Sequence, residues 1–262
     1  MDHERFFREL QSLYENWAVP GWRPRSRRFD PVLASLLAMT TTGVVQLLNH
    51  AVSCLEANEI YCEVGCFQGA TLIGALLDHP AAQAEAVDNF SEFDPRGQNH
   101  QTLLANLERF GLRSQVRFHN EDFERFFLER RRQGHPPIGA YLYDGAHDYR
   151  SQMMGLLLAV PHLSERALIV VDDANYPPVR QATWDFVAAF PQARLGLEIL
   201  TPGNGHPDFW NGLHVLTWDR HADNGYAHAV LRARREESLV HAMAMLFRVP
   251  LPGDTAGAVS PR

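Results

Sequence analysis

Between residues 60 and 190, short apolar runs alternate with amphipathic stretches, and this alternation constrains the fold more than any other feature. The runs are rich in apolar or β-branched residues and bounded by turn or polar residues, which is typical of β-strands. They are IYCEV, AEAVD, QVRFH, IGAYLYD and ALIVVDD. Helical candidates lie between or after them, at 70–77, 98–110, 122–132, 149–163 and 179–190. Such alternation predicts right-handed crossovers and a parallel sheet covered on both faces.

The fold class predicted from this pattern is α/β, with a doubly wound, Rossmann-like sheet. After Phe190 the alternation stops, and RLGLEIL and NGLHVLTW are two further strand candidates joined by the turn-rich TPGNGHPDFW. An antiparallel pair at the sheet edge follows from them. We therefore expect a mostly parallel seven-stranded sheet with an antiparallel edge strand and an N-terminal helical appendage.

The two ends of the chain differ from this central pattern. Residues 1–17 carry Phe6, Leu10 and Tyr14 at helical spacing before a breaker-rich stretch, and a second helix is predicted at about 31–55. The sequence predicts a helical cap and linker at 1–55, a ligand-binding core at 56–220, and a helix with a flexible tail at 221–262.

Composition excludes several classes of protein. A hydrophobic content of 45% is ample for a sizeable core, and a net charge of -7 argues against a nucleic-acid-binding protein. No apolar run is long enough for a membrane span, and the first residues lack the apolar region of a signal peptide. Cys54, Cys62 and Cys66 form no paired framework, so we expect reduced thiols and a cytoplasmic location. The sequence leaves homo-oligomerisation open.

The turn after the first core strand, in YCEVGCFQGAT, is suited to ligand binding. Gly65 lies at the turn and Gly69 where the next helix begins, and ligands of open α/β sheets bind at this end of the strands. The spacing is G-x-x-x-G and lacks the middle glycine of the dinucleotide-binding turn. Glu63 would repel a pyrophosphate and favour a cationic ligand.

Two further acids follow in sequence order. Asp88 ends the second strand, 23 positions after Gly65, and suits hydrogen bonds to ribose hydroxyls. Asp122 ends the third strand, where a carboxylate could accept a hydrogen bond from an adenine amino group. Each has an alternative role, because Asp88 could be a simple loop residue and Asp122 a helix N-cap.

Five segments, EVGCFQGAT, AVDNF, NEDF, YDGAHDY and IVVDD, occur in the order seen in a known family. Together they resemble class I S-adenosylmethionine-dependent methyltransferases, and more narrowly the small-molecule O-methyltransferase branch with its catechol-type and antibiotic-sugar enzymes. The resemblance covers about residues 40–220. It implies S-adenosylmethionine as cofactor, bound by Glu63, Gly65, Cys66, Phe67, Gly69, Asp88, Asn89 and Asp122.

The same resemblance implies that Asp144, Asp172 and Asp173 bind a divalent cation. Adjacent strand ends converge on one crevice, where three carboxylates repel one another unless a cation or protons compensate them. Oxygen ligands favour Mg²⁺, or Mn²⁺, over zinc. The alternative is that Asp144 starts a turn before Gly145 and that Asp173 caps the helix beginning near Pro177.

Asp144 and His147 are the predicted catalytic residues. His147 occupies the place where catechol-type relatives carry a lysine general base, so that their D-x-x-K is here D-G-A-H. All 24 basic residues of the chain are arginine, and a histidine can accept a proton near neutral pH. Alternatively, His147 could cap the next helix or bridge Asp144 to the backbone.

The acceptor is expected to be a small hydroxylated molecule such as a sugar or a phenol. His206, Trp210 and His214 are candidates for its pocket, although such residues are more often packing or surface groups. Three other functions remain open: a metal-independent methyltransferase, a non-catalytic S-adenosylmethionine-binding protein and, more distantly, a nicotinamide oxidoreductase.

Overall fold

The computed structural model describes residues 1–17, 21–132 and 134–234. Its helices are α1 His3–Leu10, α2 Asp30–Ala34, α3 Thr42–Ser53, α4 Ala70–Leu76, α5 Asn99–Arg109, α6 Phe123–Arg130, α7 Tyr149–Ala159, α8 Pro177–Ala189 and α9 His228–Ala233. Its strands are β1 Tyr14–Glu15, β2 Arg23–Pro24, β3 Ile60–Val64, β4 Ala84–Val87, β5 Val116–His119, β6 Ile138–Tyr143, β7 Leu163–Asp172, β8 Ala193–Ile199 and β9 Leu213–Asp219. Short 3₁₀ helices occupy Gln11–Leu13 and Val160–His162.

The central sheet has seven strands in the order β5-β4-β3-β6-β7-β9-β8. Strands β3 to β7 pair in parallel, and β9 is antiparallel to both of its neighbours, β7 and β8. The predicted α/β class, the parallel core and the antiparallel pair at the edge are therefore confirmed. Within that pair, β8 forms the edge and β9 lies one position further in.

The strand residues are apolar because helices cover the sheet on both faces. Every residue of β3, β4 and β6 is buried, as expected for parallel strands of this kind. On one face α3, α4 and α5 contribute Leu47, Ile73 and Leu103 to a single hydrophobic cluster. On the other face α6 and α7 contribute Phe127 and Leu156 to a second cluster, to which α8 also belongs.

The order of the strands determines where ligands can bind. The chain adds β4 and β5 on one side of β3 and then returns to add β6 and β7 on the other side. The carboxyl ends of β3 and β6 therefore flank the point where the winding direction reverses, which is the binding crevice of open α/β sheets. The Asp144 N–H donates to the Val64 carbonyl across this point, at 2.9 Å.

The helical stretch predicted at about 31–55 contains two helices, α2 and α3, rather than one continuous helix. Helix α2 ends at Ala34, and the hydroxyl of its C-cap residue Ser35 donates to the Val32 carbonyl at 2.9 Å. Helix α3 starts anew at the N-cap Thr41, whose Oγ1 accepts from the Val44 N–H at 3.3 Å and donates to the Asp208 carbonyl at 2.7 Å. Local capping and a tertiary contact thus override the continuous helical pattern.

The N-terminal helix is also shorter than its pattern predicts, because α1 ends at Leu10. Tyr14 pairs with Pro24 in the β1–β2 ladder, and its hydroxyl donates to the Gly43 carbonyl at 2.8 Å. Phe6, Leu10 and Tyr14 all belong to the hydrophobic cluster that α3 and α4 share with the sheet. The division of the chain at residues 55 and 220 stays a prediction.

At the other end, the predicted C-terminal helix begins with α9, whereas its continuation and the predicted flexible tail lie outside the described residues. None of the helices in the described ranges is both long and apolar enough to cross a membrane. Cys54, Cys62 and Cys66 are buried and form no disulfide.

Candidate active site

A cavity of about 470 Å³ opens at the carboxyl ends of the parallel strands. Its wall includes Phe67 after β3, Asp88 after β4 and Asp122 after β5, together with Asp144 after β6 and Asp173 after β7. This volume lies within the range of small-molecule and cofactor sites. The sheet topology therefore brings residues predicted from five separate strand ends into one cavity.

Gly65 and Gly69 both have backbone conformations that favour glycine. Gly65 has φ +82°, and a Cβ there would lie 1.9 Å from the Asp144 carbonyl oxygen. Gly69, at the start of α4, has φ +91°, and its Cβ would lie 2.8 Å from Leu103 Cδ1. The glycine at 65 thus permits the close approach of the β3 and β6 ends.

Glu63 is fully buried behind the cavity wall. Its carboxylate accepts hydrogen bonds from the Tyr61 hydroxyl and from Thr71 Oγ1, each at 2.6 Å, and Thr71 itself lines the cavity. Burial raises the pKa of Glu63 to about 7. Because Glu63 lies behind the wall, it would affect a bound ligand through its hydrogen bond to Thr71 and through the charge of its carboxylate. The predicted role of Glu63 in cofactor binding stays a prediction.

Asp88 holds the turns that follow β3 and β4. Its Oδ2 accepts from the Phe67 N–H and its Oδ1 from the Phe90 N–H, both at 2.8 Å. Burial raises the pKa of Asp88. The neighbouring Asn89 is exposed and lines the cavity, as does the buried Cys66. These residues lie together where the resemblance expects a cofactor.

Asp122 is the N-cap of α6, which was the alternative considered for it. Its Oδ1 accepts from the Glu124 N–H at 2.8 Å. Since Asp122 also lines the cavity, capping does not exclude a contact between its second oxygen and a ligand.

The three acids at the ends of β6 and β7 are close enough to affect one another. Burial and the negative charges of Asp172 and Asp173 raise the pKa of Asp144 well above its usual range. Burial and the charge of Asp173 raise the pKa of Asp172 to about 8. Asp172 Oδ1 is buried and has no hydrogen-bond partner among the described residues. The three carboxyl groups therefore disfavour one another's charged form, and a bound cation or a shared proton would relieve this.

His147 is held against this group on two sides. Its Nε2 lies 2.5 Å from Asp173 Oδ2, and its ring stacks on Tyr176 with centroids 5.1 Å apart. The hydrogen bond to Asp173 raises the pKa of His147 although burial opposes this. One ligand atom each from Asp144, His147 and Asp173 lie within 4.8 Å of one another.

The capping alternatives for His147 and Asp173 do not fit the structure. Helix α7 is capped by Asp148, whose Oδ1 accepts from the Ser151 N–H at 3.0 Å. The N-cap of α8 is Tyr176, without a side-chain hydrogen bond, while Asp173 interacts with His147 instead.

The sequence also missed several residues of the cavity. Asn211 donates through Nδ2 to Asp173 Oδ1 at 2.6 Å, and the exposed Phe93 lies at the rim. Trp210 lines the cavity as hypothesised. The hypothesis is wrong for His206 and His214, which lie outside the cavity wall; His214 is fully buried against Glu198. No local sequence signal marks Asn211, since an Asn-Gly pair only indicates a turn.

Sequence comparison gives one family match. Residues 62–174 match a family model described as a methyltransferase domain. No curated protein matches the sequence significantly. The family match begins within β3 and extends past the end of β7. It therefore includes the carboxyl ends of the strands that form the cavity.

Solved structures share the fold at low sequence identity. An O-methyltransferase from Bacillus cereus in complex with SAH is 14% identical, with a TM-score of 0.56 over 75% of this chain and 92% of that one. A putative O-methyltransferase from Klebsiella pneumoniae is 18% identical, with a TM-score of 0.55 over 75% and 91%. The O-methyltransferase TomG from Streptomyces achromogenes, in complex with SAM, is 17% identical, with a TM-score of 0.51 over 67% and 77%. The region that matches the methyltransferase-domain model thus lies in a fold that these solved O-methyltransferase structures share.

Proposed function

We propose that the protein is an O-methyltransferase that transfers the methyl group of S-adenosylmethionine to a hydroxyl of a small molecule, with the assistance of a divalent cation. The observation that carries the proposal is that Asp144, His147 and Asp173 lie together in the same cavity as the Gly65 turn. S-adenosylmethionine supplies an electrophilic methyl group. The chain must then position a hydroxyl and accept its proton, and this group of side chains is suited to both tasks.

The residues fit a divalent cation. Asp144, Asp172 and Asp173 provide oxygen donors, burial and neighbouring negative charges raise the pKa of both Asp144 and Asp172, and Asp172 Oδ1 has no hydrogen-bond partner among the described residues. Mg²⁺ or Mn²⁺ suits such a donor set. A cation held by these acids would lower the pKa of an acceptor hydroxyl.

His147 is the proposed proton acceptor. Its Nε2 is already engaged by Asp173, which leaves Nδ1 for the acceptor hydroxyl. Asp173 would stabilise the imidazolium that forms, and Tyr176 keeps the ring in place. We favour this role over cation ligation because ligation through Nε2 would break the hydrogen bond to Asp173.

A metal-independent methyltransferase is the second candidate, and the raised pKa values of Asp144 and Asp172 favour it. One proton shared between these carboxyls removes a negative charge without any cation. His147, oriented by Asp173, would then act without metal assistance.

The experiment is a calorimetric titration with S-adenosylhomocysteine, with and without Mg²⁺, followed by transfer of a labelled methyl group to a panel of catechols and sugars. We expect binding, transfer to at least one acceptor, and loss of transfer on chelation or in Asp144→Asn. Transfer that survives both chelation and Asp172→Ala would support the metal-independent enzyme. Binding of NADH without binding of S-adenosylhomocysteine would overturn both candidates.

The proposal places the enzyme in the reducing cytoplasm. The support is that Cys54, Cys62 and Cys66 are unpaired and buried. Homo-oligomerisation stays a prediction, to be tested by light scattering.

A further inference from the structure

Asp173 is held in an unusual conformation. Its φ is +62°, in a region that costs a non-glycine residue free energy, and its side chain is almost completely buried. Both carboxylate oxygens have partners, because His147 Nε2 lies 2.5 Å from Oδ2 and Asn211 Nδ2 donates to Oδ1 at 2.6 Å. The surroundings therefore fix the carboxylate at each oxygen.

Asn211 is itself fixed at both ends of its amide. It is 8% exposed, and its Oδ1 accepts from the Gly205 N–H at 2.7 Å while its Nδ2 faces Asp173. Its backbone carbonyl accepts from the Asn175 N–H at 2.8 Å. An amide with a donor on one side and a carboxylate on the other has only one orientation that satisfies both.

Asn211 and its partner Gly205 both belong to the 200–212 loop between β8 and β9, and this loop borders the cavity. Trp210 of this loop lines the cavity with φ +50° and exchanges two backbone hydrogen bonds with His206. Asp208 anchors the loop to the N-terminal segments, since its Oδ2 accepts from the Gly21 N–H at 2.8 Å and its carbonyl accepts from Thr41 Oγ1 at 2.7 Å. The loop is thus tied on one side to residues 21–41 and on the other to Asp173.

The chemistry of the amide matters as much as its position. A neutral donor orients the Asp173 carboxylate without cancelling its charge, whereas an arginine at this place would neutralise the acid and compete with a cation. Hydrogen bonds of this kind to metal-ligating carboxylates tune the affinity of metal sites.

We propose that Asn211 is a positioning residue that fixes the Asp173 carboxylate for cation binding and links it to the 200–212 loop. The inference rests on the proposed metal-assisted function. It follows from the two hydrogen bonds of one buried amide, one to the acid and one to the loop.

The test measures Mn²⁺ binding to the full chain by electron paramagnetic resonance, with S-adenosylhomocysteine affinity and thermal stability recorded beside it. Asn211→Leu keeps the side-chain size and removes both hydrogen bonds. We expect its Mn²⁺ affinity to fall by about 10-fold or more, with the affinity for S-adenosylhomocysteine changed less than 2-fold. Asn211→Ser, which is too short to bridge Asp173 and Gly205, should show the same loss and serves if the leucine variant does not fold.

Asn204→Ala is the matched control, because Asn204 lies in the same loop and bonds to Asn175 rather than to Asp173. It should bind Mn²⁺ as the wild type does, whereas Asp173→Asn should lose binding. Wild-type Mn²⁺ affinity in both Asn211 variants would overturn this inference alone, as would a parallel fall in both ligand affinities and in stability. A wild-type protein without Mn²⁺ binding would overturn the metal-assisted function and this inference together.

Discussion

Several residues around the cavity have strained backbone conformations, which contacts with the rest of the fold hold in place. Phe67, Phe93, Asp173 and Trp210 all line the cavity and all have positive φ without being glycine. Such conformations persist only where surrounding contacts determine them, and they concentrate at functional sites. Substitutions at single residues of this crevice should therefore change ligand affinity and the free energy of unfolding by different amounts, which can be measured separately.

Gly65→Ala should both destabilise the protein and abolish S-adenosylhomocysteine binding. The new Cβ would lie 1.9 Å from the Asp144 carbonyl, so the ends of β3 and β6 must separate. We expect a loss of about 3 kcal/mol or more in the free energy of unfolding, measured by urea titration. Gly97→Ala is the matched control, because Gly97 also has positive φ but nothing lies within 4 Å of its Cβ. That variant should lose only about 1–2 kcal/mol, and equal losses would refute the steric argument.

The pKa of His147 should depend on Asp173. The hydrogen bond to Asp173 stabilises the protonated ring and raises the pKa of His147, so the proton-accepting neutral form becomes dominant at a higher pH than for an ordinary histidine. In metal-free Asp173→Asn the pKa should fall, and the neutral ring should dominate at lower pH. NMR titration of the His147 ring measures this. Asp148→Asn, a charge change at the α7 N-cap, should leave the titration almost unchanged; an equal shift there would indicate a general charge effect.

At the scale of elements, the same acidic residue can both follow a strand at the cavity and cap the next helix. Helices α6 and α7 begin immediately beyond the cavity, each capped by an aspartate, Asp122 and Asp148. An acid at such a place stabilises the helix whether or not a ligand also uses it. Sequence alone therefore left the role of Asp122 undecided, and only a change that separates capping from binding can resolve it.

Asp122→Asn should preserve the helix and weaken cofactor binding. Asparagine is as good an N-cap as aspartate, and its Oδ1 can still accept from the Glu124 N–H, so stability should change by less than about 0.5 kcal/mol. Its amide nitrogen replaces the second oxygen and would repel an adenine amino group. We expect S-adenosylhomocysteine affinity to fall about 10-fold by calorimetry, equivalent to about 1.4 kcal/mol. Unchanged affinity would mean that Asp122 is only a cap, and Asp122→Ala should cost about 1 kcal/mol of stability in either case.

At the scale of the whole molecule, the N-terminal segment and the β8–β9 loop are joined through one aromatic cluster. Phe209 of the loop packs against Tyr14 and Trp22, with ring centroids 5.7 and 5.1 Å apart. Phe6 is fully buried in the same hydrophobic cluster as the helices on that face of the sheet. We infer that the N-terminal segment unfolds together with the sheet.

Phe6→Ala should therefore destabilise the whole molecule by about 3–5 kcal/mol, with a single cooperative transition in urea followed by circular dichroism. Leu37→Ala is the matched control, since Leu37 is 64% exposed and its loss should change stability by less than about 0.5 kcal/mol. A separate early transition in Phe6→Ala, with the main transition unmoved, would show that the N-terminal segment is an independent cap.

Within residues 60–190, the sequence by itself was sufficient to predict the strands and helices and to predict a ligand site at the carboxyl ends of the strands. The alternation of short apolar runs and amphipathic stretches specifies strands and helices because each pattern buries one kind of surface, and parallel strands necessarily place their carboxyl ends at one edge. From the sequence alone, one crevice is therefore expected to hold Gly65, Asp88, Asp122, Asp144 and Asp173.

Only the tertiary structure decided how these residues are held. It ended the N-terminal helix at Leu10, because Tyr14 pairs with Pro24 of β2 and its hydroxyl gains a buried hydrogen bond to the Gly43 carbonyl of α3. It placed Glu63 behind the cavity wall and brought Asn211, 38 positions away, to Asp173. Contacts between residues distant in sequence leave no local pattern, because hydrogen-bond partners are set by how whole elements pack and not by the spacing of side chains along one strand or helix.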